Sequence, residues 1–285
     1  MNARLPNTQV AFGTVVGRDH LKCGKVLVGR NNQDAVVVRQ SDRALVGVVC
    51  DGCGGEEHSE FGARLGANLV SQSVLRNAGI ADPIEDVLDR VHGDVLAELR
   101  ILVRHFGDDP AVVIRNHFLF TIVGVLVRPG TLHLFALGDG TWAVANNLEN
   151  RTRSVHSLGP FPDNAPPYLG YAIDGSRSPN VDSFRLIRTI HNTGEPHAVL
   201  IGSDGAADLA DAADRVIPGT RELVGPISDF WQDDRYFRNP QMINRKLRRL
   251  NTDTQRVVHG KIHPFHGLLH DDTTLLVVRR NSIGE

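Results

Sequence analysis

The chain has 285 residues, 41% hydrophobic and 22% charged, the composition of a folded globular protein rather than a disordered or fibrous one. Lys plus Arg number 31 against 33 for Asp plus Glu, a net charge of −2, which removes any bulk electrostatic argument for nucleic acid or an anionic membrane as partner. Three cysteines are too few for a disulfide framework, and the start, MNARLPNTQVAFG, lacks a signal-peptide core, so the expected location is cytoplasmic.

In chain order, β-branched runs at residues 9–16, 26–28, 35–39 and 44–50 predict short strands. A helix over 59–75 follows, then a second one whose apolar positions Val87, Leu88, Val91, Val95, Leu96, Leu99, Leu102 and Val103 recur every three or four residues and share one face. Asp82 is placed to cap that helix, with Pro83 at its first position. Residues 118–127 are the most apolar run, about half the ~20 residues that span a bilayer, and read as a central strand covered on both faces. Pro129-Gly130 is a turn, and residues 131–136 and 142–145 are expected as antiparallel neighbours of that strand. Residues 159–175 hold Pro160, Pro162, Pro166 and Pro167 and predict an irregular loop. Strands resume at 184–190 and 198–201, and a helix near 240–250 precedes a last strand at 274–278.

This order lacks the strand–helix alternation of a parallel sheet and predicts an α+β fold: a four-layer α-β-β-α sandwich of two antiparallel sheets flanked by helices. It reads as one domain over residues 1–285, with a core from about 8 to 280 and the Pro-rich stretch 159–180 as a decoration.

The informative feature is where the aspartates stand. Apolar strands run directly into Asp51-Gly52, into Gly138-Asp139-Gly140 and into Ser203-Asp204-Gly205, while Asp271-Asp272 immediately precede the last strand. A strand end holds a carboxylate on rigid backbone, and the following glycine lets the chain turn or approach a ligand closely. A single Asp-Gly is an ordinary turn signal. Several carboxylates brought to one place repel unless a cation neutralises them, and oxygen donors select hard ions such as Mg²⁺ or Mn²⁺.

The ordered set Asn32-Gln33-Asp34, VVCDGCGG (residues 48–55), LGDG (137–140), SDGAAD (203–208) and DDTTLLVV (271–278) resembles the metal-dependent protein phosphatases of type 2C. HSEFGA (58–63) and APPYLGY (165–171) are similar to a prokaryotic branch of that family. The resemblance implies a protein serine/threonine phosphatase with two Mn²⁺ or Mg²⁺ ions at one end of a β-sandwich, acting on phosphorylated Ser/Thr proteins and opposing a protein kinase. It assigns Asp51 as the bridging metal ligand, the Gly52 carbonyl as a ligand of one ion, and Asp204 and Asp271 as ligands of the other. Asp34 matches an acidic residue that supports a metal-bound water, and Asp139 and Asp208 match positions linked to a third, weaker ion. No nucleic acid or membrane partner is implied.

The chain departs from the family at three points. Gln33 stands where an acidic residue often precedes the first aspartate, and Cys53 where many members carry His. Arg30 lies four residues before Asp34 rather than five, and is the candidate phosphate ligand. The departures keep open a second reading, an inactive pseudophosphatase that binds phosphoproteins as a scaffold. Cys50 and Cys53 form a C-x-x-C, which with His263, His266 and His270 spells a zinc or redox alternative. Ser203 lacks the G-x-S-x-G setting of a nucleophile elbow. Asn31, Asn32 and His58 read as turn formers.

Overall fold

The computed structural model describes residues 5, 8–23, 26–27, 29–54, 58–79, 82–107, 109–149, 151–162, 165–174, 183–191, 197–258 and 261–280. The chain begins with β1 (Thr8–Val15), α1 (Arg18–Leu21), the small hairpin β2 (Lys22–Cys23) and β3 (Val26–Leu27), then β4 (Asp34–Gln40) and β5 (Leu45–Gly52). Three helices follow, α2 (Ser59–Asn77), α3 (Ile84–Phe106) and α4 (Pro110–His117), and then β6 (Phe120–Arg128), β7 (Thr131–Leu137), β8 (Thr141–Ala145) and β9 (His156–Ser157). Next come α5 (Tyr171–Asp174), β10 (Arg185–His191), β11 (His197–Gly202), α6 (Gly205–Asp211), α7 (Asp229–Gln232), α8 (Arg235–Arg238) and α9 (Met242–Leu250). The hairpin β12 (Thr254–Val258) and β13 (Lys261–Phe265) and the long β14 (Thr273–Arg280) complete the order.

Two antiparallel five-stranded sheets form, β1-β14-β11-β8-β9 and β10-β7-β6-β5-β4. Their inner faces meet through Leu45, Val49, Val125 and Leu134 on one sheet and Ile201 and Leu276 on the other. Gly47 makes the close approach possible: a Cβ there would sit 2.6 Å from the Leu276 Cδ1 of the facing sheet. The outer face of the β5 sheet is covered by α2, α3 and α4, and the outer face of the β14 sheet by α6 to α9, giving four layers. Burying a Leu, Ile or Val side chain contributes about 1.5–3 kcal/mol, so three apolar layers of this kind supply the main cohesion. The α+β sandwich expected from the element order is the fold observed.

Local sequence explains the layers. On α2 the buried positions Gly62, Ala63, Gly66, Ala67 and Val70 are small and spaced by three and four, so the helix lies close on the sheet, with the Phe120 ring under Gly66. On α3 the apolar stripe from Val87 to Val103 is buried as its periodicity requires. Two expectations fail. Asp82 does not cap α3; its carboxylate accepts from Arg90 Nη2 at 2.5 Å, and Pro83 occupies the cap position with no side-chain bond. Strand β8 pairs with β11 rather than with the sheet of β6, because Gly138 (φ +91°) and Gly140 (φ +127°) swing the chain across to the other sheet. Helix α4, not foreseen, is capped by Asp109, which accepts from the Ala111 and Val112 amides, with Pro110 at its first turn. The expected strand at 26–28 is seen as Val26–Leu27; residue 28 lies outside the described residues, as do residues 176–180. Among the described residues no helix is long and apolar enough to cross a membrane.

Candidate metal centre

Strand direction carries the candidate residues to one end of the sandwich. β4 starts there and β5 ends there, with Asp34 opposite Asp51 in the register. β7 ends there, and its exit turn holds Asp139; β11 ends there and is followed by Ser203 and Asp204. β14 starts there, directly after Asp271-Asp272. Asp51 and Gly52 are themselves the last residues of β5, so their backbone is fixed by pairing to Thr121 and Phe120. A cleft of about 320 Å³ opens at this end, lined by Gln33, Asp51, Gly52, Cys53, Gly54, Thr121, Asp139, Pro166, Tyr168, Asp204 and Asp271.

Asp51, Asp139 and Asp204 hold their protons more tightly than usual, because burial strips them of water and their neighbours are also negative. Asp51 is raised well above the ordinary value, by burial first and then by the charges of Asp34, Asp204, Asp139 and Asp271. Asp204 is raised to about 6, by desolvation and then Asp271 and Asp139, against a bond with Asp51 that lowers it. Asp139 is raised by burial, although its own backbone amide and the Thr121 hydroxyl oppose the shift. Among the described residues no Lys or Arg lines the cleft. An all-oxygen donor set with uncompensated negative charge fits a hard divalent cation, Mg²⁺ or Mn²⁺. Asp51, Asp139, Asp204 and Asp271 line the cleft with carboxylates that could hold such an ion, and Gly52 lines it beside Asp51.

A second layer of residues braces the first. Asp34 is buried, and its Oδ2 accepts from the Ser203 hydroxyl at 2.7 Å; burial and then the Asp272 charge raise it to about 8. The Ser203 oxygen in turn accepts the Thr274 amide at 3.0 Å, which ties the end of β11 to the start of β14. Buried Asp272 accepts from the Gly17 amide through Oδ1 and from the Gln33 amide through Oδ2, both at 2.6 Å. His20 Nδ1 lies 3.0 Å from Asp272 Oδ1, and its Nε2 lies 3.6 Å from Asp271 Oδ1. The bond to Asp272 is the main reason the His20 ring is raised above its ordinary value, against the opposing effect of burial. His20, Asp272, Thr121 and Tyr168 were not among the candidate ligands from sequence. His20 lies more than 250 residues from the aspartates it faces, and no local pattern marks it.

The remaining candidates stand as follows. Arg30 is exposed, and its Nη1 donates to the Gly54 carbonyl at 2.7 Å, on the rim of the cleft. Asp208 lies one helical turn beyond Asp204 on α6 and is not among the lining residues. Ser203 is buried with its hydroxyl committed to Asp34, so it is not an exposed nucleophile. Cys50 and Cys53 are free thiols; Cys50 is packed in the apolar layer under α2, where burial raises its thiol, and only Cys53 reaches the cleft. His263 is exposed on β13, His266 faces Asp253 and His270 faces Asp19, so these rings are engaged away from the buried Cys50. His58 precedes α2 without capping it and lies 5.2 Å from the His117 ring.

A family model described as Protein phosphatase 2C matches residues 16–238. Among solved structures, a bacterial serine phosphatase is similar over 97% of this chain and 99% of its own, at 14% identity and a TM-score of 0.53. The serine/threonine phosphatase Stp1 from Staphylococcus aureus is similar over 100% and 98%, at 15% identity and a TM-score of 0.51. A sex determining protein of C. elegans is similar over 97% of this chain and 66% of its own, at 14% identity and a TM-score of 0.51. Likeness at this level of identity speaks for the fold. No curated protein matches by sequence. With the model match spanning most of the chain, over the strands that carry Asp34, Asp51, Asp139 and Asp204, the chain belongs to the protein phosphatase 2C family.

Proposed function

We propose that this chain is a metal-dependent protein serine/threonine phosphatase, its residues from about 8 to 280 acting as one catalytic domain that hydrolyses phosphomonoesters on proteins phosphorylated by a kinase. The observation that carries the reading is the cleft with Asp51, Asp139, Asp204 and Asp271 on its wall, where burial first and then neighbouring charge raise the proton affinities of Asp51, Asp139 and Asp204, and no Lys or Arg stands among the described residues that line it. A pair of bound Mn²⁺ or Mg²⁺ ions supplies water acidic enough to attack as hydroxide near neutral pH and offsets the charge of the transferring phosphoryl group.

The chain's own residues do the rest. Asp51, the Gly52 carbonyl, Asp204 and Asp271 hold the cations, and Asp139 offers a further carboxylate on the same wall. Asp34, the register partner of Asp51, has a buried carboxyl that its Ser203 bond keeps still, where it would support a water bound at the cations. Arg30 at the rim is the cationic side chain placed to meet a phosphate dianion entering the cleft. Pro166 and Tyr168 line the same cleft from the loop that precedes α5. A water nucleophile leaves no covalent enzyme intermediate, which agrees with the buried, committed state of Ser203.

Turnover of an aryl phosphate and of a phosphoserine peptide, with Mn²⁺ or with EDTA, tests the reading. Activity with Mn²⁺ that is lost in EDTA and in Asp51→Asn supports it. Activity that persists in EDTA overturns the metal dependence, and absence of turnover with every divalent ion returns the chain to a phosphoprotein-binding scaffold.

A further inference from the structure

We propose that His20 is a positioning residue of the cation site: its ring, braced by buried Asp272, holds the Asp271 carboxylate toward the cleft. The inference rests on reading the cleft as a cation site. Three observations on separate elements carry it.

The Asp272 carboxylate is held at both oxygens by backbone amides, Gly17 N–H on Oδ1 and Gln33 N–H on Oδ2. It is 2% exposed and joins the end of β1, the approach to β4 and the start of β14. Its remaining contact is the His20 ring, with Nδ1 at 3.0 Å from Oδ1. Asp272 therefore presents a fixed carboxylate to the ring.

Asp271 is in the opposite state. Its side chain is 54% exposed, and its Oδ1 accepts the Asp272 amide at 2.7 Å. His20 Nε2 stands 3.6 Å from the same Oδ1. A carboxylate this open loses rotamer freedom when it binds an ion, and a fixed neighbour reduces that loss in advance.

The corner carrying His20 is locked to the loop carrying Asp271. Arg18 N–H donates to Leu269 O and Asp19 N–H to His270 O, each at 3.0 Å. Gly17 has no side chain where one would collide, since a Cβ would lie 2.4 Å from the Asp271 carbonyl carbon. The β1–α1 corner and the loop before β14 thus move as one piece, and His20 is the side chain that passes that rigidity to Asp271. Partners of this outer kind are worth about 10–100-fold in metal affinity.

The experiment is calorimetric titration of Mn²⁺ into the metal-free full-length protein, for wild type, His20→Ala, His20→Asn and His20→Gln. Asn places its amide nitrogen near the Nδ1 position and keeps the Asp272 contact; Gln reaches the Nε2 position and keeps the Asp271 contact. The expected result is a loss of about tenfold or more in Mn²⁺ affinity for Ala and Asn, with Gln returning most of it. Melting in EDTA should leave Asn close to wild type, separating positioning from folding. Asn binding Mn²⁺ as wild type does, or Gln binding no better than Asn, overturns the role of His20, and this pair decides the question even if the Ala variant does not fold. Nitrogen coupling from a His20 ring in the pulsed EPR of bound Mn²⁺ also overturns it, because His20 would then be a ligand. Wild type that takes up no Mn²⁺ overturns the cation site itself, a failure distinct from the others.

Discussion

Asp34 and Asp51 are direct register partners across β4 and β5, two carboxyls on one face of a sheet whose neighbouring positions are apolar. Like charges placed opposite each other destabilise an antiparallel pair. The fold keeps them because the pair stands at the strand ends that open on the cleft. The burial and mutual charge of the carboxyl cluster they belong to are the basis of the first two predictions.

Without metal, the folded chain should become less stable as pH rises. Asp34 is raised to about 8 and Asp204 to about 6 from an ordinary 3.8, so between these values the folded chain binds more protons than the unfolded one. The stability these groups give is complete below the unfolded value, and is lost as pH passes through the two folded values in turn. In EDTA the melting temperature should therefore fall between about pH 5 and pH 8 from this cluster. Millimolar Mn²⁺ should raise it most at the alkaline end, where the carboxylates are bare. A cation-induced rise that is largest at pH 5 would contradict this account.

Asp51→Asn separates function from stability. The substitution removes the charge that Asp34, Asp204, Asp139 and Asp271 all oppose. In EDTA at pH 8 the variant should melt above wild type, whereas the Mn²⁺-dependent turnover should fall by at least about 10²-fold, the scale of losing one preorganised electrostatic contact. Loss of both stability and activity would show instead that Asp51 is a folding residue.

Much of this was legible in the sequence because strand periodicity and the Asp-Gly pairs are local signals. Asp51, Asp139, Asp204 and Asp271 each announce themselves as a carboxylate at an apolar strand boundary, and all four line the cleft. What was not legible depends on contacts made only after folding. The crossing of β8 to the other sheet is decided by two positive-φ glycines around Asp139, which the sequence shows only as a turn. His20 and Asp272 meet across most of the chain length, and Asp208 shares a motif with Asp204 yet is not among the residues lining the cleft, since α6 carries it one turn further along. Asp82 looked like a cap, but Arg90 two turns on competes for its carboxylate.

Gly62 should tolerate no side chain. A Cβ there would lie 1.8 Å from the His117 carbonyl oxygen, at the place where α2 crosses the end of α4. Backbone cannot yield as a flexible side chain does, so Gly62→Ala should cost about 1–3 kcal/mol, the usual penalty of overpacking. Urea unfolding with an unchanged m-value is the measurement. Gly93→Ala, on α3 with open space around it, is the control and should be neutral or slightly stabilising.

His133 should set part of the acid limb of stability. Its Nε2 accepts from Arg128 Nη2 at 2.9 Å, so the ring is neutral, with Nδ1 donating to the Thr189 hydroxyl at 3.0 Å. Burial first, and then Arg128, lower it to about 4. The unfolded chain takes up a proton near 6.5 that the folded chain refuses until about 4, so this stabilisation is complete above 6.5 and is lost as pH falls through that window. His133→Gln should flatten the pH dependence of melting between these values while lowering stability at neutral pH. An unchanged acid slope in the variant would remove His133 from the account.

The loop side of the cleft, where Pro166 and Tyr168 stand, should govern which phosphoproteins are accepted. The rest of the cleft is built from strand ends that cannot shift without breaking sheet pairing, which leaves discrimination to the loop side. Pro166 and Tyr168 reach into the cleft from that loop, and the Tyr168 ring is held at 5.5 Å from Tyr171 in an edge-on contact. Burial raises the Tyr168 hydroxyl well above its ordinary value, so it stays protonated and is a donor facing a wall of acceptors. Tyr168→Phe keeps the ring packing and deletes the donor. One hydrogen bond to a substrate is worth about 0.5–1.5 kcal/mol, so the ratio of kcat/KM between two phosphopeptides of different flanking sequence should change by roughly 2–10-fold. Mn²⁺ affinity should not move, because the hydroxyl is not among the groups placed to hold the ion. A ratio that stays constant across a phosphopeptide panel, in Tyr168→Phe and in a variant with the loop shortened, would mean that selectivity is set by the strand-end wall, with Arg30 as its only adjustable part.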